Sequence, residues 1–304
     1  MIQAVTAVNA RGEALRLMLR DPFSTGIHIA DIDGLGPGKA VFGTTDLYGK
    51  EGSSFNSAHL PSRLITFELE LIGPKDIETS RRQTYQYFPI KEEVTLIFET
   101  DSLEAYIVGR VENNEPSIFE EREKIVIAVM CFDYFFRKVL DGGEGKINFA
   151  SVDGGLEFPL SNPSGLDEIE FGDIQRSNIA EIFYDGTDAT GVEIRLDAAF
   201  GPVVNPTVSN LTNGTSATIE TAKLPAGAFR VGDRLVLSST TGNKKLIHVK
   251  KDGSVEERKA FRALKRGSTW IRLEPGYNVI EYKADSGVDN IQLNIGYEVR
   301  MSGI

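Results

Sequence analysis

The sequence predicts a mainly-β protein of two domains: a β-rich first domain with one α-helix, then an antiparallel β-sandwich. Three observations predict this. Apolar and polar residues alternate with period two through much of the 304-residue chain, the pattern of half-buried strands. Turn signals separate these runs at short intervals, as in an antiparallel sandwich. Only one stretch carries a helical period. A glycine cluster, Asp141-Gly142-Gly143-Glu144-Gly145, breaks the alternation and sets the boundary between residues 1–140 and 141–304. Each part is of ordinary domain size.

In the first part, Ala14 to Leu19 is an apolar strand bounded by Asp21-Pro22, where proline stops a ladder. Ile27 to Ile32 alternates, with Ile27 and Ile29 on one face. Gly34-Leu35-Gly36-Pro37-Gly38, followed by Gly43, Gly49 and Gly52, reads as a long contact-making loop. No Lys-Ser/Thr follows it, so it is not a phosphate cradle. Arg63 to Ile72 is a strong strand, burying Ile65, Phe67, Leu69 and Leu71 and exposing Leu64, Thr66, Glu68 and Glu70. After Gly73-Pro74 the helix runs from Lys75 to Phe88 and is closed by Pro89. Ile77, Arg81, Tyr85 and Phe88 line one of its faces, and Asp76 and Glu78 suit its N-terminus. Arg81-Arg82 reads either as a solvated helix face or as an inter-subunit salt bridge. Strands resume at Glu93–Phe98, Leu103–Val111 and Lys124–Phe136. The last is nearly all apolar, as in a strand buried on both faces or lying under an oligomer contact.

In the second part the alternating segments are Ala180–Tyr184, Gly191–Leu196, Arg234–Leu237, Lys245–Val249, Thr269–Leu273, Tyr277–Tyr282 and Ile291–Val299. Asp185-Gly186, Thr241-Gly242-Asn243, Asp252-Gly253, Pro275-Gly276 and Ser286-Gly287 supply turns between them. Asp167-Glu168-Ile169-Glu170 is an acidic turn without the spacing of a calcium loop.

Composition excludes several classes of function. The net charge of −11 and the pI of about 5.0 argue against sequence-specific nucleic-acid binding. Lys244-Lys245 to Lys250-Lys251 is either a solvated strand face or a phosphate-contacting surface. The first residues lack the basic region and apolar core of a signal peptide, and no apolar stretch is long enough for a membrane helix. The expectation is therefore assembly in the cytoplasm without membrane insertion. The sequons at Asn210 and Asn213 are then not glycosylated. The one cysteine, Cys131, permits no internal disulfide and reads as a small buried hydrophobe. His28, His59 and His248 are scattered, so no zinc shell is expected. No serine-nucleophile motif occurs, and the acids form no recognisable catalytic pair. No catalytic, cofactor or metal site is expected.

The order of features resembles the siphophage distal tail protein family, the Dit-like baseplate hubs, over essentially the whole chain. In the first part the resemblance rests on the Gly-rich loop, the Arg63-led strand, the helix carrying Arg81-Arg82, Phe88-Pro89, and the exit Cys131-Phe132-Asp133-Tyr134-Phe135-Phe136. In the second it rests on Gly155 to Leu160, Ala180 to Ala189, Asn205 to Asn210, Val231 to Leu237, Lys250 to Gly253 and Trp270 to Tyr282. The resemblance implies a non-enzymatic virion protein with a belt-forming first domain and a galectin-like second domain. Six copies would form a ring, single or paired back to back, joining the tail tube protein to the tail-tip protein. Receptor-binding proteins for host adsorption are further implied partners. Arg63, Phe67, Ile77, Arg81, Arg82 and Tyr85 are the expected oligomer contacts, and residues 34–59 an expected contact with tube or neighbour. The alternative is a lectin-like module for host attachment, with Trp270 and Tyr277 touching glycan.

Overall fold

The computed structural model describes residues 1–304 except 50, 73–75, 118, 120–122, 141–144, 149–177 and 258. The chain divides into two compact units, Met1–Leu140 with Arg300–Ile304, and Asp141–Val299. The last five residues therefore pack with the first unit, not with the second as expected. The pairing responsible is non-local: Phe136 and Arg137 ladder with Met301 and Arg300.

The first unit contains β1 (Ile2–Asn9), β2 (Ala14–Met18), β3 (Ile27–Asp33), β4 (Val41–Asp46), β5 (Ser53–His59) and β6 (Arg63–Leu71). Then come α1 (Ile77–Tyr87), β7 (Glu93–Thr100), β8 (Glu104–Pro116), β9 (Lys124–Cys131) and β10 (Phe136–Lys138). One antiparallel sheet runs β2-β1-β7-β8-β9-β6-β3, with β10 joined to β8. The inward residues of these strands form one core, which includes the predicted set Ile65, Phe67, Leu69 and Leu71. Its aromatic rings make a chain: Phe88 to Phe67 at 6.2 Å, Phe67 to Phe98 at 6.4 Å, Phe98 to Phe136 at 5.7 Å. Cys131 is fully buried there, as expected, and burial pushes its thiol up to about 12. Arg63 pulls the other way and is outweighed. A thiol raised in the folded state favours folding below its unfolded value, and that contribution fades as the pH climbs toward 12. At pH 8 the native protein should react with a thiol reagent at least 100-fold more slowly than the denatured chain. Equal rates would contradict this burial.

Two expectations fail here. The expected single strand Lys124–Phe136 breaks into β9 and β10, and β9 buries only alternate residues, leaving Val126 exposed. The expected helix face is split: Phe88 is buried and Arg81 largely covered, but Ile77 and Tyr85 are exposed, and Ser80 and Thr84 turn inward in their place. Small hydroxyl residues permit the close approach that the strand below requires. Asn114 of β8 donates to the carbonyls of Thr84 and Phe88 at 3.1 and 3.3 Å. Asp76 caps the helix through the amide of Thr79.

The second unit holds β11 (Gly145–Asn148), β12 (Ile179–Tyr184), β13 (Thr190–Ala198), β14 (Thr207–Asn210), β15 (Thr215–Thr218) and β16 (Arg234–Ser238). They are followed by β17 (Lys245–Val249), β18 (Val255–Glu256), β19 (Arg272–Leu273), β20 (Gly276–Lys283) and β21 (Ile291–Tyr297). Two antiparallel sheets result, β11-β21-β13-β16-β17-β18 and β12-β20-β14-β15, with β19 beside β13. Alternate residues of both point inward, and Tyr184 meets Tyr297 between them at 5.9 Å. Most of the unit's buried polar groups find partners, though Nδ1 of His248 has none among the described residues. Asp233 accepts from the amides of Arg230 and Lys251 and lies 3.3 Å from Nε2 of the fully buried His248. Asn210, the first sequon, is itself buried and donates to Asn278 and to the carbonyl of Arg272. The segments Gly155–Leu160 and Asp167–Glu170 lie outside the described residues.

Candidate interaction surfaces

The β4–β5 hairpin stands apart from the main sheet as a two-stranded ribbon of its own. It begins where the Gly34–Gly38 loop ends and takes a bulge between Gly43 and Thr44, with Ser57 Oγ close to where a Cβ on Gly43 would lie. An isolated two-stranded hairpin is marginal in water. This one also exposes aromatic surface: Phe42 is 61% and Phe55 65% exposed, their rings edge to face at 6.2 Å, and Tyr48 is fully exposed. Exposed apolar surface makes the hairpin a candidate contact.

The base of the hairpin is held by Arg63. Its side chain is 5% exposed. It donates to four carbonyls: Tyr134 at 2.9 Å, Gly34 at 2.5 Å, Gly36 at 2.7 Å and Ser302 at 2.6 Å. The guanidinium also lies 4.4 Å from the Tyr134 ring centroid and 4.7 Å from that of Phe136, the cation–π geometry. Burial lowers its pKa from the ordinary value, yet a guanidinium keeps its charge in proteins. The Tyr134 hydroxyl accepts from the amide of Gly38, and the amide of Ile304 reaches the carbonyl of Leu35 at 3.1 Å. One side chain thus ties together the glycine loop, the aromatic exit and the C-terminal residues. Gly34 must be glycine: its φ is +89°, and a Cβ would meet the Leu64 carbonyl oxygen at 2.1 Å.

These facts sort the expected contact residues. Arg63 is committed inside the unit, and Phe67, 1% exposed, is core; neither side chain is presented to a neighbour. Arg81 pairs within the chain with Glu123 at 3.2 Å, both largely covered. Arg82 is exposed, with Glu78 at 2.6 Å. Ile77, Arg82 and Tyr85 remain on the open side of α1. Leu64 and Val126, on the outward faces of β6 and β9, are also exposed apolar residues, four positions apart along that ladder. In the second unit, Tyr277 stands exposed opposite Phe183, ring centroids 5.0 Å apart. Trp270 lies outside any strand, half-buried beside Phe261. The two expected glycan residues have separate aromatic partners. Among the described residues no three His, Cys, Asp or Glu gather to hold a metal, and no helix is long and apolar enough to cross a membrane.

No family model and no curated protein matches the chain by sequence. Solved structures do match. The chain aligns over 97% of its length with 98% of the Dit protein of phage SPP1, at 14% identity and a TM-score of 0.60. That protein is described as a paradigm of the hub adsorption apparatus in phages infecting Gram-positive bacteria. The fold is that of a phage Dit protein. Two structures of the phage P2 baseplate in its activated conformation, with strontium and with calcium, align over 99% and 100% of both chains. Their identities are 12% and 11% and their TM-scores 0.45 and 0.42, and they add nothing to the first match. Within this Dit-like fold, the stretch expected as a long contact-making loop forms β4 and β5, and the exposed aromatics Phe42, Tyr48 and Phe55 inside the expected 34–59 contact segment were not singled out from the sequence. The available signal was three aromatics inside a glycine- and serine-rich stretch, where no core was expected.

Proposed function

We propose that the chain is a structural virion component, the distal tail hub of a siphophage or prophage. Six copies of the first unit close into a ring between the tail tube and the tail tip or baseplate. The second unit serves as a galectin-like outer module that can carry receptor-binding proteins. The chain acts by assembly, not by catalysis, and is built into the tail in the host cytoplasm.

The full-length likeness to the Dit fold carries this reading. The hairpin supports it, because a marginal ribbon bearing exposed aromatic rings is stabilised when a neighbour covers it. A heterologous contact of that kind, repeated around a closing rotation, gives a ring. The contact is assigned to Phe42, Tyr48 and Phe55, with Leu64, Val126, Ile77, Arg82 and Tyr85 as further exposed candidates. Immunogold labelling of the particles that carry this protein tests the placement. Gold confined to the distal end of the tail is expected; label on the head or along the whole tube contradicts it.

A further inference from the structure

The outward face of the larger sheet of the second unit carries a hollow. In β13, Val192 and Ile194 point into the core, so Gly191 and Glu193 point out. Glu193 pairs across the ladder with Ser238 of β16 on one side and Gly296 of β21 on the other. Gly191 adjoins Thr240, and a Cβ on it would meet the Ser239 carbonyl oxygen and Thr240 Cα at 2.6 Å. Two glycines in adjoining rows thus remove side chains where the sheet face would otherwise carry them. The turn Thr240–Asn243, closed by the Asn243 amide on the Thr240 carbonyl at 2.9 Å, stands beside them. The result is a pocket of about 140 Å³.

Two polar groups in its lining lack partners. Ser238 is 1% exposed, yet its hydroxyl makes no hydrogen bond among the described residues. Leu235 and Leu237 take the core side of β16, which turns Ser238 toward the face that carries Glu193. Glu193 is held by Arg195, whose Nε and Nη2 both donate to Oε1, at 2.9 and 2.7 Å. Its Oε2 has no partner among the described residues. A covered hydroxyl left unpaired costs free energy that a ligand can recover. Thr240 and Asn243 add further acceptors to the lining, and Glu298 a second carboxylate.

We propose that this pocket binds a primary ammonium group at the end of an alkyl chain. Its volume of about 140 Å³ is well below the roughly 300–1,000 Å³ of sites for drug-sized ligands, so it takes one head group. A single open carboxylate oxygen suits a compact ammonium. A guanidinium fork needs both oxygens, and Arg195 already occupies one. The three donors of the ammonium are met by Glu193 Oε2, the Ser238 hydroxyl, and the Thr240 hydroxyl or the Asn243 side-chain carbonyl. Free diamines and the lysine side chains of other proteins share this chemistry. The ring reading uses none of these residues, so either can fail alone.

The test is a ligand-observed NMR titration of the full-length protein in about 0.15 M salt, which screens the general pull of a net negative chain. The probes are putrescine, N-acetyl-lysine methylamide, its Nζ-trimethylated form and 1-butanol. The trimethylated form keeps the charge and loses every donor; butanol keeps a donor and loses the charge. Putrescine, the lysine derivative or both are expected to bind at least tenfold more tightly than either control. E193Q should weaken that binding tenfold or more and S238A at least threefold. E112Q in the first unit, the same change of charge elsewhere, should do nothing. An unchanged melting temperature verifies the folding of each variant, and E193Q, whose side chain is partly exposed, carries the test by itself. Tighter binding of putrescine assigns the pocket to free diamines; equal or tighter binding of the lysine derivative assigns it to a lysine of a partner protein. Equal binding of the trimethylated form, or binding unmoved by E193Q, would overturn the proposal.

Discussion

Replacing Arg63 with alanine should destabilise the first unit by about 3–5 kcal/mol, the largest effect expected of a single substitution here. Four carbonyls, of Gly34, Gly36, Tyr134 and Ser302, would lose a charged donor at once. Two of these lie in a glycine loop with no ladder of its own, so water must enter to replace what is lost. The rings of Tyr134 and Phe136 would also lose their cation. For a unit of this size the melting temperature should fall by roughly 10 °C. Arg63→Lys should recover only part of this, because an ammonium lacks the planar fork that reaches separated acceptors. Calorimetry provides the check: the transition of the first unit should drop while that of the second holds. A fall of less than about 2 °C in Arg63→Ala would mean the four contacts are not held together in solution.

The hairpin should behave in the opposite way. Phe42→Ser with Phe55→Ser removes two side chains that are mostly exposed within one chain, so the melting temperature of an isolated subunit should change little. Assembly should change greatly. Each phenyl ring buried at a contact contributes roughly 1.5–3 kcal/mol, so each junction would weaken by about 3–6 kcal/mol. That is on the order of a 10²- to 10⁴-fold loss in association, repeated at every junction of the ring. Sedimentation velocity of the double variant should show monomers where the parent protein shows the ring. A ring that survived both substitutions would remove the hairpin from the contact.

The same two features mark how far the sequence could be read. Alternation in Arg63 to Leu71 identifies the inward set because one face of that strand meets core and the other does not. The role of Arg63 was hidden, since a strand's first residue gives no sign that its side chain will gather carbonyls from positions 29, 27, 71 and 239 residues away. The helix misled for a physical reason. Its apolar residues Ile77 and Tyr85 face outward, while Ser80 and Thr84 face in to allow Asn114 to reach the helix carbonyls. Periodicity assumes that the apolar stripe is the buried one. The hairpin was concealed by its glycines and serines, which weaken strand propensity, and by having no buried face to impose alternation. In the second unit, strands such as Lys245–Val249 were legible. The partners of Trp270 and Tyr277 were not, because ring contacts between distant segments leave no local pattern.

The most direct test of the ring is the solution mass of the purified protein, by light scattering across a dilution series. With a subunit of 33.4 kDa, a species of six subunits is expected, or of twelve if rings pair. That mass should persist on dilution, as expected of a closed assembly with two contacts per subunit. A monomer or dimer at every concentration, in protein that is folded by calorimetry, would contradict it.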